Sequence, residues 1–359
     1  MNKIILILFS LLVFFSCKDD SANESTQELE SDAFISAVDI SSYPEISSLN
    51  LDFFDRESNK NDFLNILKSS GVNTVRLRLW VNPDNEHSSF DEVRQFSQTL
   101  KDNDFKVWLS LHYSDTWADP GKQIKSIQWE NISASSLQDS VFEYTQKVVQ
   151  EINPDYIQIG NEINTGFLHP EGHITDNYSG FLDLMKAGIS AVRSESENAK
   201  IILHFAGIEN SEWFYQQVST LDYDIIGLSY YPIWHSKSLE DLEAKMQELS
   251  ENHNKSILIA ETAYPFTLEW NDWTNNIVGL EEHLILPDFS ASPEGQRAFI
   301  NRIISITNGL ENGIGFCYWG AELVAWKGPE GTDASPWENQ ALFDFENKAL
   351  PVLNEFKAE

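Results

Sequence analysis

Basic residues are scarce in this chain: 24 lysines and arginines stand against 56 aspartates and glutamates, a formal net charge of −32 over 359 residues. A surface this acidic repels phosphate backbones and anionic lipid, which excludes nucleic acid and leaves a lipid anchor as the one expected route to a membrane. Acidic polysaccharides are disfavoured on the same ground, whereas neutral glycans are not. Cysteine is nearly absent as well. With only Cys17 and Cys317, no disulfide framework is available and the fold must rest on its core. Cys317, in the apolar run GIGFCYW, reads as a small buried side chain rather than a reactive thiol. No GxGxxG or phosphate-binding loop follows the first strand candidate, so a dinucleotide site lacks its signature.

The N-terminus carries an address. Lys3 precedes an apolar run from Ile4 to Phe15, closed by Ser16 and Cys17, the plan of a secretory signal peptide and too short for a permanent membrane helix. LVFFSC resembles a bacterial lipobox, in which the cysteine becomes the lipidated first residue; the alternative is an ordinary signal peptide with an incidental cysteine. Lys18 to Asp32 is acidic and poor in apolar residues, a composition that cannot bury enough surface to fold. The expected division is a lipoprotein signal peptide over 1–16, a disordered acidic tether over 17–33 and one folded domain over 34–359. Asp19 and Asp20 beside Cys17 are similar to the export signal of surface lipoproteins, which implies an outer-membrane, outward-facing location.

From Phe34 onward, apolar or alternating strand candidates begin near Phe34, Val72, Lys106, Asp155, Lys200, Asp224, Ser256 and Gly313. Amphipathic segments lie between most of them, such as Ser136 to Glu151 and Pro293 to Asn308. Strands alternating with helices predict a parallel (β/α)₈ barrel of the α/β class rather than a doubly wound sheet.

In such a barrel the chemistry sits at the C-terminal strand ends. Two of those ends carry glutamate: Glu162 in YIQIGNEINTG and Glu261 in SILIAETAYP. Either alone could cap a following helix. Together they are the minimal apparatus of a glycosidase, one protonating the leaving oxygen and the other attacking the sugar or activating water. Eleven tryptophans add rings able to stack on a pyranose. The first strand ends at Asp39. In TVRLRLW, alternation points Arg76, Arg78 and Trp80 one way, and buried arginines need carboxylate partners. Arg78, nearer the strand end, is expected to hold the nucleophile ionised; Arg76 is open between that kind of role and a structural ion pair. His112, Asp115 and Trp117 bunch in LHYSDTWADPGKQ without the HxH or HExxH spacing of a metal site, so hydrogen bonds to sugar hydroxyls are expected. Tyr230 and Trp234 follow the sixth strand, and Trp319 ends the eighth.

The segments GVNTVRLRLWVNP, LHYSDTWADPGKQ, IQIGNEINTGFLHP, IIGLSYYPIWH, ETAYPFTLE and SPWENQALFDFENKALPVLNEF resemble the arabinogalactan endo-β-1,4-galactanases of glycoside hydrolase family 53, in order from Gly71 to Phe356. The resemblance implies retaining, endo-acting cleavage of β-1,4-galactan or type I arabinogalactan with no cofactor required for catalysis. It assigns Glu162 as acid/base and Glu261 as nucleophile, and sets Asn161 against the sugar 2-hydroxyl. Asp39, Arg78, His112, Asp115, Tyr230 and Trp319 would line that subsite, and Trp117, Trp234 and Trp337 would extend the groove. A separation of about 5 Å between the glutamates would leave no room for water and force double displacement.

The chain departs from the family pattern where YWGAELVAW stands in place of a segment like YWEPAW. The loop LEWNDWTNNIVGLEEHL lies where some members bind calcium; Asn271, Asp272 and Asn275 could supply oxygens, though the expected histidine is missing. Two rival functions stand beside this one: another retaining barrel glycosidase, mannanase- or xylanase-like, and a glycan-binding surface lipoprotein without turnover.

Overall fold

Alternation within short apolar runs produces eight parallel strands that close on one another. In the computed structural model, which describes residues 33–357, these are β1 (Ile35–Asp39), β2 (Thr74–Leu79), β3 (Lys106–Leu111), β4 (Tyr156–Ile159), β5 (Lys200–Ala206), β6 (Ile225–Ser229), β7 (Ser256–Thr262) and β8 (Gly313–Trp319). β1 is hydrogen-bonded to both β2 and β8, so the sheet has no edge. The expected (β/α)₈ barrel is borne out, as a single domain. The expectations placed on the leader and on Cys17 lie outside the described residues.

Seven helices cover the outside: α1 (Phe63–Ser69), α2 (Phe90–Asp102), α3 (Ala134–Ile152), α4 (Tyr178–Glu195), α5 (Ser211–Gln217), α6 (Leu239–His253) and α7 (Pro293–Gly309). α3 shows why they form. Ser133 accepts the Ser136 amide and caps the start, while Leu137, Val141, Val148, Val149 and Ile152 bury one stripe. Asn153 ends the helix at φ 51°, a left-handed conformation that asparagine tolerates better than most residues. Each buried aliphatic side chain contributes about 1.5–3 kcal/mol. A turn of 3₁₀ helix, Pro351–Phe356, packs Phe356 on Phe316 at the barrel wall. Between β1 and α1 lie a short helix, Tyr43–Ser47, and a two-stranded hairpin pairing Phe53–Phe54 with Lys60–Asn61, elements too short to show a period in sequence. Among the described residues no helix is long and apolar enough to cross a membrane.

The barrel interior is layered. Ala37, Trp108, Tyr156, Ile202, Ile225, Leu258, Ala260 and Cys317 form an apolar plug inside the barrel. Further along these strands the inward positions turn polar: Asp39, Ser110, Gln158 and His204 stand two residues past the plug and Ser229 four past Ile225, and all of them, with Arg76 among them, are buried. The site sits on that polar layer.

Candidate active site

Glu162 and Glu261 reach the top of the barrel by two different distortions. β4 ends in left-handed backbone, with Gly160 at φ 79° and Glu162 at φ 46°; a non-glycine residue there is strained and persists only where its surroundings hold it. The hold comes from Gln123, whose Nε2 donates to the carbonyls of Asp119, Asn161 and Glu162 at 3.0, 2.9 and 3.2 Å. In β7, Leu258 and Ala260 face inward, so simple alternation would turn Glu261 outward. A register shift against β6, where Ser229 pairs with Glu261, re-aims its carboxylate into the site, as bulges beside active sites do. Together with His204, the two glutamates each offer a ligand atom within 4.8 Å of the others.

Arg76 organises the floor. Its Nη1 donates to Asp39 Oδ2 at 2.7 Å and its Nη2 to Glu261 Oε1 and Asn161 Oδ1, both at 2.8 Å, with the guanidinium 1% exposed. The Tyr231 hydroxyl donates to Glu261 Oε2 at 3.1 Å. The expectation that Arg78 pairs with Glu261 is therefore corrected: Arg76 does. Arg78 bonds Ser88 Oγ and Ser42 Oγ, and its guanidinium lies 4.2 Å from the ring centre of Trp117 and 4.9 Å from that of Trp80.

This asymmetry splits the two carboxyls. Burial raises both, and the negative charge of Glu261 lifts Glu162 further, to about 8, against a hydrogen bond from Ser229. Arg76 and Tyr231 pull Glu261 back toward the ionised form. One carboxyl is thus kept protonated beside one kept charged, the division of labour that acid catalysis next to a nucleophile requires. His112 is buried and held neutral, well below its usual range, by burial and by both arginines. Its Nδ1 accepts from the Ala118 amide at 3.1 Å, which puts the ring proton on Nε2.

A cavity of about 700 Å³ opens above the pair, lined by Asp39, Arg76, Arg78, His112, Trp117, Asn161, Glu162, Tyr231, Trp234, Glu261, Trp319 and Trp337. Asn161 donates from Nδ2 to the Ala118 carbonyl at 2.8 Å, leaving one amide hydrogen for a ligand. The rings form a continuous wall: Trp117 lies 6.0 Å from Trp319, Trp319 4.8 Å from Trp337, and Trp337 6.0 Å from Trp234. Trp337 is buried, so it backs the wall, whereas Trp234, 54% exposed, presents a face. A second cavity of about 890 Å³ continues past Ala206, Trp234 and His235 toward α6.

Two expected residues are not brought in. Asp115 accepts the Asn82 and Ile127 amides and organises its own loop. Tyr230 is fully buried with its hydroxyl on the Ser236 carbonyl, and Tyr231 takes the place expected for it. Tyr231 was offered beside Tyr230 at the end of the sixth strand but not chosen; missed by sequence reasoning were Gln123, Ser229, His204 and Gln158. Glu322, in the divergent YWGAELVAW segment, was missed as well; it accepts the Ser42 amide at 2.8 Å.

Of the suggested calcium ligands, Asn275 is exposed while Asp272 is buried beside Glu338. Asp272 Oδ2, Glu338 Oε2 and Asn276 Oδ1 are buried without hydrogen-bond partners, a donor set that suits a hard cation. At the glutamate pair, by contrast, the atoms of the Glu162, His204 and Glu261 trio are already engaged by Arg76, Tyr231, Ser229 and Gln158.

The sequence profile of glycosyl hydrolase family 53 matches residues 35–356. An arabinogalactan endo-beta-1,4-galactanase of Cellvibrio japonicus is 32% identical over 94% of this chain and 94% of its own length. The family 53 catalytic domain of Ignisphaera aggregans superposes with a TM-score of 0.84 at 36% identity, covering 90% of this chain and 95% of that one. A structure from a study of two fungal beta-1,4-galactanases gives 0.79 at 26%, covering 91% and 100%.

Proposed function

From the premise that the chain belongs to glycosyl hydrolase family 53, we propose that it cleaves β-1,4-galactosidic bonds within galactan or type I arabinogalactan by double displacement, with Glu261 as nucleophile and Glu162 as acid/base. The observation that carries this reading is the pair of carboxyls with oxygens within 4.8 Å, the spacing of retaining glycosidases and too close for an intervening water. Glu261, fixed by Arg76 and Tyr231, attacks the anomeric carbon while Glu162 protonates the departing oxygen. Glu162, now a carboxylate, then takes a proton from the water that releases the sugar. Asn161, with one free amide hydrogen, is placed to bond the 2-hydroxyl. The groove continues past Trp234 on the Glu162 side, which suits a chain cut internally.

The test is product analysis on purified β-1,4-galactan beside mannan, xylan and arabinan, with the anomer of the first product followed by NMR. An inverted first product, or mannan cut faster than galactan, overturns the reading. Binding without turnover would favour the glycan-capture alternative. Glu261→Ala should be rescued by azide, and Glu162→Ala should retain activity only toward leaving groups that need no proton; the reverse pattern exchanges the roles.

Two further readings belong to this proposal. A structural cation is held by Asp272 and Glu338, with no part in the chemistry; chelation lowers the melting temperature if so and leaves it unchanged otherwise. Cys17, read from sequence alone, is lipidated and anchors the enzyme at the outer membrane facing outward, where polymer reaches it. Cys17→Ala should release the enzyme from the membrane fraction, and protease added to intact cells should remove the wild type; survival of the wild type as a soluble periplasmic protein sinks this placement.

A further inference from the structure

Behind Glu162 lies a chain of polar groups that two-carboxylate chemistry does not itself require. Ser229 Oγ is 2.6 Å from Glu162 Oε1, and His204 Nε2 is 2.8 Å from that hydroxyl. His204 Nδ1 is 3.0 Å from Gln158 Nε2 and 3.4 Å from the Glu162 backbone amide. Gln158, His204 and Ser229 are each 0% exposed, so no water competes for these bonds.

The direction of the chain follows from its donors. Two N–H donors face Nδ1 of His204. The one oxygen within reach of Nδ1, Asn161 Oδ1 at 3.2 Å, is already filled: it accepts from Arg76 at 2.8 Å and from Ser110 Oγ at 3.3 Å and lies 3.0 Å from the Gln158 amide nitrogen. Nδ1 is therefore the acceptor and the single ring proton sits on Nε2. That proton is donated to Ser229 Oγ, and the hydroxyl can then satisfy itself only by donating onward to Glu162 Oε1.

Resting on the assignment of Glu162 as acid/base, we infer that His204 and Ser229 are positioning residues: their one-way chain of donors occupies Oε1, so the catalytic proton is carried on Oε2. In the first step the O–H bond at Oε2 breaks and the proton passes to the glycosidic oxygen as its bond to the anomeric carbon breaks. In the second, a water proton returns to Oε2 while the water oxygen bonds the anomeric carbon and Glu261 leaves. Ser229 keeps its own proton throughout and stabilises the carboxylate between the two steps.

The groups facing Glu162 from other elements are Glu261 on β7, Arg76 on β2, His112 on β3 and Asp119 beyond it, and Tyr231 and His235 beyond β6, besides His204 on β5. Burial and Arg76 keep His112 and His204 uncharged, burial lowers His235 to about 4, and Tyr231 is raised well above its usual value. A titration seen near neutral pH is therefore that of the glutamate pair or of Glu322, which burial also raises to about 8, so the assignment is made in a Glu322→Gln background.

The experiment compares Ser229→Ala with Ser229→Thr, and His204→Leu with His204→Gln, whose amide can replace the Nε2 donor. Titration of labelled glutamate carboxyls by NMR, in the free enzyme, should place Glu162 about one pH unit higher in Ser229→Ala, since a donor to its carboxylate is lost. The alkaline limb of kcat/KM should follow it. On galactan, kcat should fall roughly ten- to a hundredfold, with far less loss on aryl galactobiosides whose leaving groups need no protonation. Ser229→Thr and His204→Gln should recover both properties, while His204→Leu should behave as Ser229→Ala. An unmoved or lowered Glu162 titration, or an equal loss on all leaving groups, overturns the inference. Absence of galactan cleavage by the wild type would instead sink the proposed function, and the NMR titration still decides the chain of donors.

Discussion

Arg76→Lys tests the electrostatic centre of the site. The guanidinium spans two carboxylates, 2.7 Å to Asp39 and 2.8 Å to Glu261, at 1% exposure. An ammonium is a single point of charge and cannot reproduce that fork, so one carboxylate is left buried and unpaired. Breaking a buried pair costs about 3–5 kcal/mol. Expressed on Glu261, at about 1.4 kcal/mol per unit, that raises its pKa by roughly two units or more. Because burial already holds Glu261 above 4.5, the further rise makes this carboxylate, the proposed nucleophile, take up a proton within the working range. The acid limb of kcat/KM on galactan should therefore move upward by about two pH units. The sign for stability follows. Below 4.5 Glu261 is neutral in folded and unfolded chains alike, so the deficit from this group is smallest there and widens as pH rises. Arg78→Lys is the control: with its contacts to Ser42, Ser88, Trp80 and Trp117, it should raise KM and leave the acid limb in place. If the limb moves in Arg78→Lys and not in Arg76→Lys, the account of how the nucleophile is kept ionised is wrong.

Gly160→Ala should cost about 1–3 kcal/mol and most of kcat, because φ is 79° and the new Cβ would fall 2.4 Å from Ile163 Cγ2; a wild-type melting curve would contradict this. Glu322 is raised to about 8, chiefly by burial and then by Asp39. The folded state thus keeps a proton that the unfolded chain releases above 4.5, and stability falls as pH rises between those values by up to about 1.4 kcal/mol per unit from this group. Glu322→Gln should flatten the dependence of melting temperature on pH by that share, and parallel curves would refute it. Trp234→Ala removes a ring that is 54% exposed at the junction of the two cavities. Loss of its face, worth about 1 kcal/mol, should raise KM severalfold on polymer and less on the shortest substrate cleaved; equal changes on both would deny it a place along the chain.

The barrel was legible because its signal is repeated. Each strand is a short apolar run, each start lies within two residues of its expected place, and a closed parallel sheet is the arrangement that buries such runs on both faces. The two glutamates were legible for the same reason, as charges standing at strand ends. Local devices were not. Tyr230 was expected from the family resemblance, whereas alternation continued past the inward-facing Ser229 points to Tyr231, the ring that meets Glu261. Asp115 looks like a ligand in sequence, but an aspartate in a turn can equally bond the backbone amides around it, and here it does.

The choice between Arg76 and Arg78 shows what a single strand cannot tell. Both point inward, so alternation treats them alike, and which one meets Glu261 depends on the stagger between strands. Asp39 pairs in register with Arg76 on one side and with Trp319 on the other, while the shift in β7 brings Glu261 level with Ser229. Those two registers set the depth at which the carboxylates meet the barrel floor, and Arg76 lies at that depth. A weaker signal was available throughout: Ser110 in VWLSL, Gln158 in YIQIG, His204 in IILHFA and Ser229 in IIGLS are lone polar residues within apolar strands. Such a residue is tolerated only where something bonds it. Four on successive strands, all buried and all within the Arg76 and Glu162 networks, mark a shared polar layer, and in a parallel barrel that layer has one use: to fix the charges of the groups above it.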